Sequence, residues 1–175
     1  MASELRVDKI IPTTGVPTGG GGGIIQVKMG TLTSVFTTTS SSMVDTGLSV
    51  SITPKFSTSK IFVSFDVAVG HDAATQHTIQ LVRQVGGSDT VVNPVAYNQG
   101  TSIVYGSPAN TSGELGWERR HVTYQCIDSP GTASAVNYRL RTYIYSSSKI
   151  QYINRCGNSS NATGTSVLTV MEVSA

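Results

Sequence analysis

Residues 60–69 read KIFVSFDVAV, and the apolar residue at every second position of this stretch decides the fold. Successive side chains of a β-strand point to opposite faces of a sheet, so this period predicts a strand with one buried face. Ser64 and Asp66 fall on the opposite face. The side chains predicted to face the core are Ile61, Val63, Phe65, Val67 and Val69.

Similar runs fill most of the chain from residue 24 onward, separated by turn-forming Gly, Pro, Asn and Asp residues. No segment sustains an apolar period of 3.6 residues over three helical turns. Eight or nine short strands predict an all-β fold, a jelly-roll-like antiparallel β-sandwich with its last strand in a central position. The predicted strands are residues 24–36, 43–53, 60–69, 77–84, 118–127, 136–145, 151–156 and 166–173, with short edge strands at 90–92 and 102–105.

Composition limits the classes of function. The 175 residues allow one domain with an appendage, and 38% are hydrophobic but only 13% charged. A net charge of +2 argues against nucleic-acid binding, which needs a clustered basic surface. No apolar run reaches the length of a membrane helix, and MASELRVDK is not a signal peptide. We therefore expect synthesis in a cytosol, without membrane insertion or secretion.

The N-terminal part differs from the rest and predicts an extended anchor peptide. Residues 1–18 carry apolar side chains at Leu5, Val7, Ile10 and Ile11, and Pro12 prevents a helix from continuing past residue 11. Such a segment either has no fixed structure or adds as a strand to a partner's sheet edge, and we favour the second. We divide the chain into an anchor (1–18), a hinge (19–23) and a head domain (24–175). The hinge consists of Gly19, Gly20, Gly21, Gly22 and Gly23.

The sequence gives no pattern for catalysis, and we predict a protein that is not an enzyme and has no catalytic, cofactor or metal site. His71 and His77 have no third ligand near them in sequence, and we interpret them as exposed turn residues. Cys126 and Cys156 lack any metal-binding spacing, and are either two buried thiols or a disulfide formed after release. The acidic residues lie mostly in predicted turns and do not suggest glycoside hydrolysis. They are Asp66, Asp72, Asp89, Glu114, Glu118 and Asp128.

Several stretches together resemble one group of tailed-bacteriophage structural proteins, often described as tail fibres. SELRVDKIIPTTGVPTGGGGGIIQV (residues 3–27) is similar to their N-terminal anchor. The stretches that are similar to their head domain are DTGLSVSITP (45–54), TSKIFV (58–63), LVR (81–83), DSPGTASAVNYRLR (128–141) and TSVLTVMEV (165–173). The resemblance implies a jelly-roll-like head that forms a homotrimer about a three-fold axis. This chain has no shaft of coiled-coil or collagen-like repeats, which favours a short fibre or a surface decoration.

Two groups of side chains are candidates for contact with partners. Arg139, Arg141, Tyr143 and Tyr145 share one face of a predicted strand and form a candidate trimer interface, because arginine and aromatic residues are enriched in interfaces. The alternative is a solvated polar face. The irregular region 93–117 is a candidate receptor loop for a host-surface glycan, although Tyr105 and Trp117 equally suit the core or the trimer axis. Its candidate residues are Tyr97, Asn98, Tyr105, Asn110 and Trp117.

The sequence thus leads to three hypotheses. The first is a short homotrimeric tail fibre of a tailed-phage virion, assembled in the bacterial host cytoplasm, which binds other virion proteins through residues 1–18 and takes part in host-cell attachment. The second is a capsid decoration or head-fibre protein. The third is a free carbohydrate-binding module.

Overall fold

The computed structural model describes residues 23–72, 75–92, 95–97, 100–102, 104–106, 119–157 and 159–174. Within these ranges all regular elements are β-strands, and no helix could span a membrane. The strands are β1 (Ile24–Leu32), β2 (Phe36–Thr38), β3 (Val44–Ile52), β4 (Lys60–His71), β5 (His77–Val85), β6 (Ser88–Val91), β7 (Val95–Tyr97), β8 (Gly100–Ser102), β9 (Val104–Gly106), β10 (Arg119–Asp128), β11 (Val136–Ile144), β12 (Gln151–Ile153), β13 (Arg155–Cys156), β14 (Ser159–Thr163) and β15 (Ser166–Val173).

Sheet A is built around β4, the longest strand. β10 pairs with one side of β4 over nearly its whole length. The other side is shared, because β15 pairs with residues 60–66 and β12 with residues 69–71. β1 lies outside β15, and β2 lies outside β12. The strand order across the first half of β4 is therefore β1-β15-β4-β10.

Sheet B has the order β3-β11-β5-β6, and β9 pairs with the other half of the β5 edge. Gly86 and Gly87 join β5 to β6 with φ values of 56° and 86°, as a two-residue hairpin turn of this hand requires. Two small hairpins, β7-β8 and β13-β14, complete the described strands.

The chain alternates between the two sheets, from β3 in sheet B to β4 in sheet A, then to β5, β10, β11 and finally β15. This alternation, with the strand orders of the two sheets, gives a jelly roll. The predicted jelly-roll-like antiparallel β-sandwich is confirmed, and β15 lies between β1 and β4 as predicted.

The core lies between the sheets and consists of the apolar side chains at every second position of the strands. The inward positions of β4 are at most 2% exposed, as are Ile79 and Leu81 from β5 and Leu168 from β15. Burial of a Val, Ile or Leu side chain contributes about 1.5–3 kcal/mol, so this face holds the sheets together. The main members contributed by the other strands are Leu48, Ile52, Val136, Tyr138 and Leu140.

Two predicted strands are interrupted in the structure. The strand predicted over residues 24–36 ends at Leu32 and resumes as β2 at Phe36, because its partner changes from β15 to β12. The strand predicted over residues 151–156 is broken by Asn154, whose φ of 67° lies in the left-handed region. Both interruptions occur at the same place in sheet A, beside the middle of β4.

Candidate functional site

The root of the N-terminal segment is fixed to the end of the last strand. The Gly23 amide donates to Ser174 Oγ at 3.0 Å, and the Ser174 amide donates to the Gly23 carbonyl at 3.1 Å. The last hinge glycine thus extends the β1-β15 pair. The candidate anchor residues Leu5, Val7, Ile10 and Ile11, and the hinge residues 19–22, lie outside the described residues.

The candidate receptor loop also lies largely outside the described residues. Tyr97 ends β7, and Tyr105 lies in β9, where its backbone is opposite Thr78 at the edge of sheet B. The side chains of these two residues, and the whole of Asn98, Asn110 and Trp117, lie outside the described part of the chain. The glycan site stays a prediction.

The candidate trimer-interface residues lie on the outer face of sheet B, where the two arginines form a cluster with Asp45 and Asp89. Arg139 Nη2 and Arg141 Nη2 donate to Asp89 Oδ2 at 2.5 and 2.6 Å. Their other nitrogens contact Asp45 at 3.3 and 3.0 Å. Desolvation opposes ionisation of Asp89, but the hydrogen bonds from Arg139 and then Arg141 outweigh it and lower the pKa of this carboxyl. Both arginines therefore have charged partners within their own chain.

The two tyrosines of this candidate interface differ in exposure. Tyr143 is half-buried in β11, whereas Tyr145 follows the strand and is 58% exposed. A contact with another chain through Tyr145 stays a prediction.

His71 and His77 form a buried pair between the ends of β4 and β5. Their rings are stacked with centroids 4.7 Å apart, and the residues are 7% and 5% exposed. Within the described ranges, His71 Nε2 and both ring nitrogens of His77 have no hydrogen-bond partner. Burial lowers the pKa of His71 to about 4, against the opposing effect of Asp72. Burial, and then the neighbouring His71, lower the pKa of His77 to about 3. Both rings are therefore neutral at pH 7.

The prediction that these histidines are exposed turn residues was wrong. β4 does not end at Val69 but continues through Gly70 to His71, because β12 pairs with this part of the strand. Gly70 is required there, since a Cβ would overlap the carbonyl oxygen of Arg155. The described residues contain no group of three or more His, Cys, Asp or Glu side chains that could share a metal ion.

Asn154 joins four segments of sheet A and was not identified from the sequence. Its Nδ2 donates to the carbonyls of Leu32 and Ser34 at 2.6 and 3.0 Å, and its Oδ1 accepts from Ser166 Oγ at 2.6 Å. Its amide donates to the carbonyl of Ala68 at 2.8 Å, and its carbonyl accepts from Gly164 at 2.8 Å. This fully buried residue therefore supplies hydrogen-bond partners for backbone groups at the place where β1 and β12 both end.

Two buried carboxylates also serve the sandwich. Asp128, predicted to lie in a turn, ends β10 and accepts from Tyr138 Oη and Arg83 Nη1, each at 2.7 Å. Glu172 in β15 accepts from Gln26 Nε2 and from the Lys55 amide, each at 2.6 Å. Burial opposes ionisation of Glu172, but these hydrogen bonds hold its pKa below the ordinary value. Each carboxylate fastens strands of the sandwich to each other or to a loop.

Cys126 and Cys156 are buried, and neither forms a disulfide in the part of the chain that the structure describes. Burial, and then Asp128, raise the pKa of Cys126 to about 11, so this group stays protonated at neutral pH. Of the two alternatives, the structure shows buried thiols.

No protein-family model and no curated protein matches the chain. Among solved structures, it is similar to one of the infectious bursal disease virus Gx strain, with a TM-score of 0.37 and 10% identity over 93% of this chain and 44% of that chain. The VP2 subviral particle of the same virus gives a TM-score of 0.38 and 10% identity over 93% and 44%. The structure of the Gt strain gives a TM-score of 0.38 and 11% identity over 93% of this chain and 42% of that chain. This chain therefore spans less than half the length of the solved chains. A similarity at this level carries no argument about what the protein does.

Proposed function

We propose that this chain is a structural protein of a tailed-phage virion, a short homotrimeric tail fibre. Residues 1–18 bind another virion protein, and the jelly roll is displayed for host-cell attachment. The observation that carries the proposal is the junction between the two parts. Gly23 is hydrogen-bonded to Ser174 at the edge of sheet A, so the first residue that the structure describes is held at a fixed point on the rim of the sandwich. A segment that leaves there can bind a partner without disturbing the core.

The described interior supports a structural role. Several of its buried polar side chains, among them Asn154, Asp128 and Glu172, are hydrogen-bonded to neighbouring strands or loops. The resemblance of residues 3–27 and of the later stretches to tailed-phage fibre proteins supports the same class. The proposal includes no catalytic activity, no metal and no cofactor.

Deletion of residues 1–17 tests the anchor. We expect the shortened protein to fold with an unchanged melting temperature and to be missing from purified virions. A length-matched variant with aspartate at Leu5, Val7, Ile10 and Ile11 should also be missing, because a charged side chain at each apolar position opposes strand addition to a partner. Incorporation of either variant at the wild-type level would refute the anchor.

A capsid decoration or head-fibre protein is the second candidate, and the direct passage from residues 1–18 to glycine and then to β1, without a shaft, favours it. The same anchor variants would be lost from particles in both cases. The site of the protein on the particle therefore distinguishes the two.

Attachment to a host glycan is tested separately by binding to a glycan array. We expect Tyr97→Ala and Trp117→Ala to abolish binding if the 93–117 region supplies stacking aromatic rings. Binding that survives both substitutions would remove this region as the receptor site and would favour another surface of the sandwich.

A further inference from the structure

The outer face of sheet A carries a row of apolar side chains that crosses the four strands β1, β15, β4 and β10. The register places Val27 of β1 opposite Met171 of β15, Met171 opposite Phe62 of β4, and Phe62 opposite Ile127 of β10. We call these four residues the apolar row. It runs perpendicular to the strands and is about 14 Å long, since neighbouring strands lie about 4.8 Å apart.

Much of this surface is open to solvent. Val27 and Ile127, at the two ends of the row, are 51% and 54% exposed, and the adjacent Ile24 and Met29 are 61% and 64% exposed. The four exposed side chains are those of Val27, Ile127, Ile24 and Met29. At roughly 100 Å² each, they present roughly 400 Å² of apolar surface. Patches of this size on soluble proteins are frequently binding sites.

The outer face of sheet B is different, because its charged side chains are paired within the chain. Arg139 and Arg141 contact Asp45 and Asp89, so another chain would have to displace existing ion pairs to bind them. Displacement leaves charges without partners and costs more than covering an apolar row. The physical comparison therefore favours sheet A as the covered face.

We infer that the apolar row is the surface through which a second copy of this chain binds, an inference that rests on the homotrimer of the proposed function. A standard interface covers about 800 Å² per partner, a little more than half of it apolar. The roughly 400 Å² of apolar surface around the row matches that need. Three copies with their rows parallel to a three-fold axis would form one apolar column.

Charges on either side of the row suit a partner of the same sequence. Lys60 precedes Phe62 on β4 and Asp66 follows it, both on the outer face. Lys60 Nζ donates to the neutral Ser129 Oγ at 2.8 Å, and Asp66, whose side chain is 49% exposed, contacts His121 at 2.7 Å. In a closed ring of identical chains, Lys60 of each copy can face Asp66 of the next, which fixes the direction of packing.

The test measures the mass of the full-length protein by sedimentation velocity and native mass spectrometry at about 10 µM. The variants are Val27→Lys, Ile127→Lys and the double substitution. Tyr145→Lys is the matched control, since Tyr145 is 58% exposed but lies at the outer face of sheet B. All three substituted positions, Val27, Ile127 and Tyr145, are exposed, so unchanged melting temperatures are expected.

We expect the wild type and Tyr145→Lys to be trimers. We expect the double variant to dissociate, because its association constant should fall at least about 30-fold, the effect of losing one interface hot spot. A trimer that survives in the row variants but dissociates in Tyr145→Lys would overturn the inference and leave the proposed function standing. Survival in all variants, as when residues 1–22 cover the row, would also overturn it. A monomeric wild type would overturn the inference and the trimer together, whereas virion incorporation tests the structural role independently.

Discussion

The buried histidine pair makes the stability of the sandwich depend on pH. His71 and His77 have folded-state pKa values of about 4 and about 3, below the ordinary value of 6.5, because burial disfavours their charged forms. The unfolded chain therefore binds more protons than the folded chain once the pH falls below 6.5. Stability is fully present above that pH and is lost as the pH falls toward 4.

The size of the effect follows from these values. At pH 5 each unfolded histidine is almost fully protonated while each folded one stays mostly neutral. Each residue then costs about 2 kcal/mol relative to pH 8, and the pair about 4 kcal/mol, at about 1.4 kcal/mol per pKa unit. Domains of this size are stable by only about 5–15 kcal/mol, so a large share of the stability should disappear before the carboxylates begin to titrate.

Urea unfolding at half-unit steps from pH 8 to pH 5 measures this loss in the wild type and in a His71→Phe, His77→Phe variant. Phenylalanine keeps a stacked aromatic pair and cannot be protonated. The substitutions also remove few hydrogen bonds, because His71 Nε2 and both ring nitrogens of His77 have no hydrogen-bond partner within the described residues. We expect the double variant to vary by less than about 1 kcal/mol over this range. An equal slope in the double variant would refute the assignment of the acid sensitivity to this pair.

Three further substitutions test the structural contacts by urea unfolding at pH 7.5. Asn154→Ala should cost about 3–5 kcal/mol, because three side-chain hydrogen bonds are lost and alanine disfavours a φ of 67°. Asn154→Gly should be the more stable of the two variants, because glycine accepts a φ of 67° but also lacks the three side-chain hydrogen bonds. Equal stability of the alanine and glycine variants would contradict a backbone contribution. Tyr138→Phe should cost about 1–3 kcal/mol by removing a buried donor to Asp128, and an unchanged midpoint would refute it. Gly70→Ala should cost at least about 2 kcal/mol through overlap with the Arg155 backbone. A Cβ at Gly164 would meet the movable end of Arg119 at 3.2 Å and the Ala68 Cβ at 3.4 Å, without overlap with backbone, so Gly164→Ala should cost clearly less; a reversed order would contradict the packing described.

The strands could be predicted from the sequence because their main signal is local. Burial on one face selects every second residue, and β3, β4, β11 and β15 show that period clearly. The ends of strands were less accurate where a partner strand, instead of the local sequence, decides where pairing stops.

The interruption in sheet A shows this limit. Asn154 follows Leu32 and Ser34 by 122 and 120 residues along the chain, and only the fold brings it to them. No local pattern distinguishes Asn154 from a turn residue. The burial of His71 has the same origin, since β12 pairs with the end of β4, and the His77 ring stacks on the His71 ring.

The candidate interface could be predicted only in part. Arginine and tyrosine on one face of a strand suggested a contact surface, but the two aspartates that pair with Arg139 and Arg141 come from β3 and β6. The apolar row likewise consists of single residues from four strands, with no cluster in the sequence. A surface of this kind becomes visible only when the register of the sheet is known.

The proposed role as a structural part of a tailed-phage particle is tested by locating the protein on that particle. In the proposal a tailed phage encodes the chain, and virions of that phage would be labelled with an antibody fragment against the sandwich and imaged by electron microscopy. The proposal predicts label at the tail, in positions related by three-fold symmetry, and no label on particles that carry the deletion of residues 1–17. Label on the capsid would select the decoration protein instead, and unlabelled wild-type virions that lack the protein by mass spectrometry would contradict a structural role.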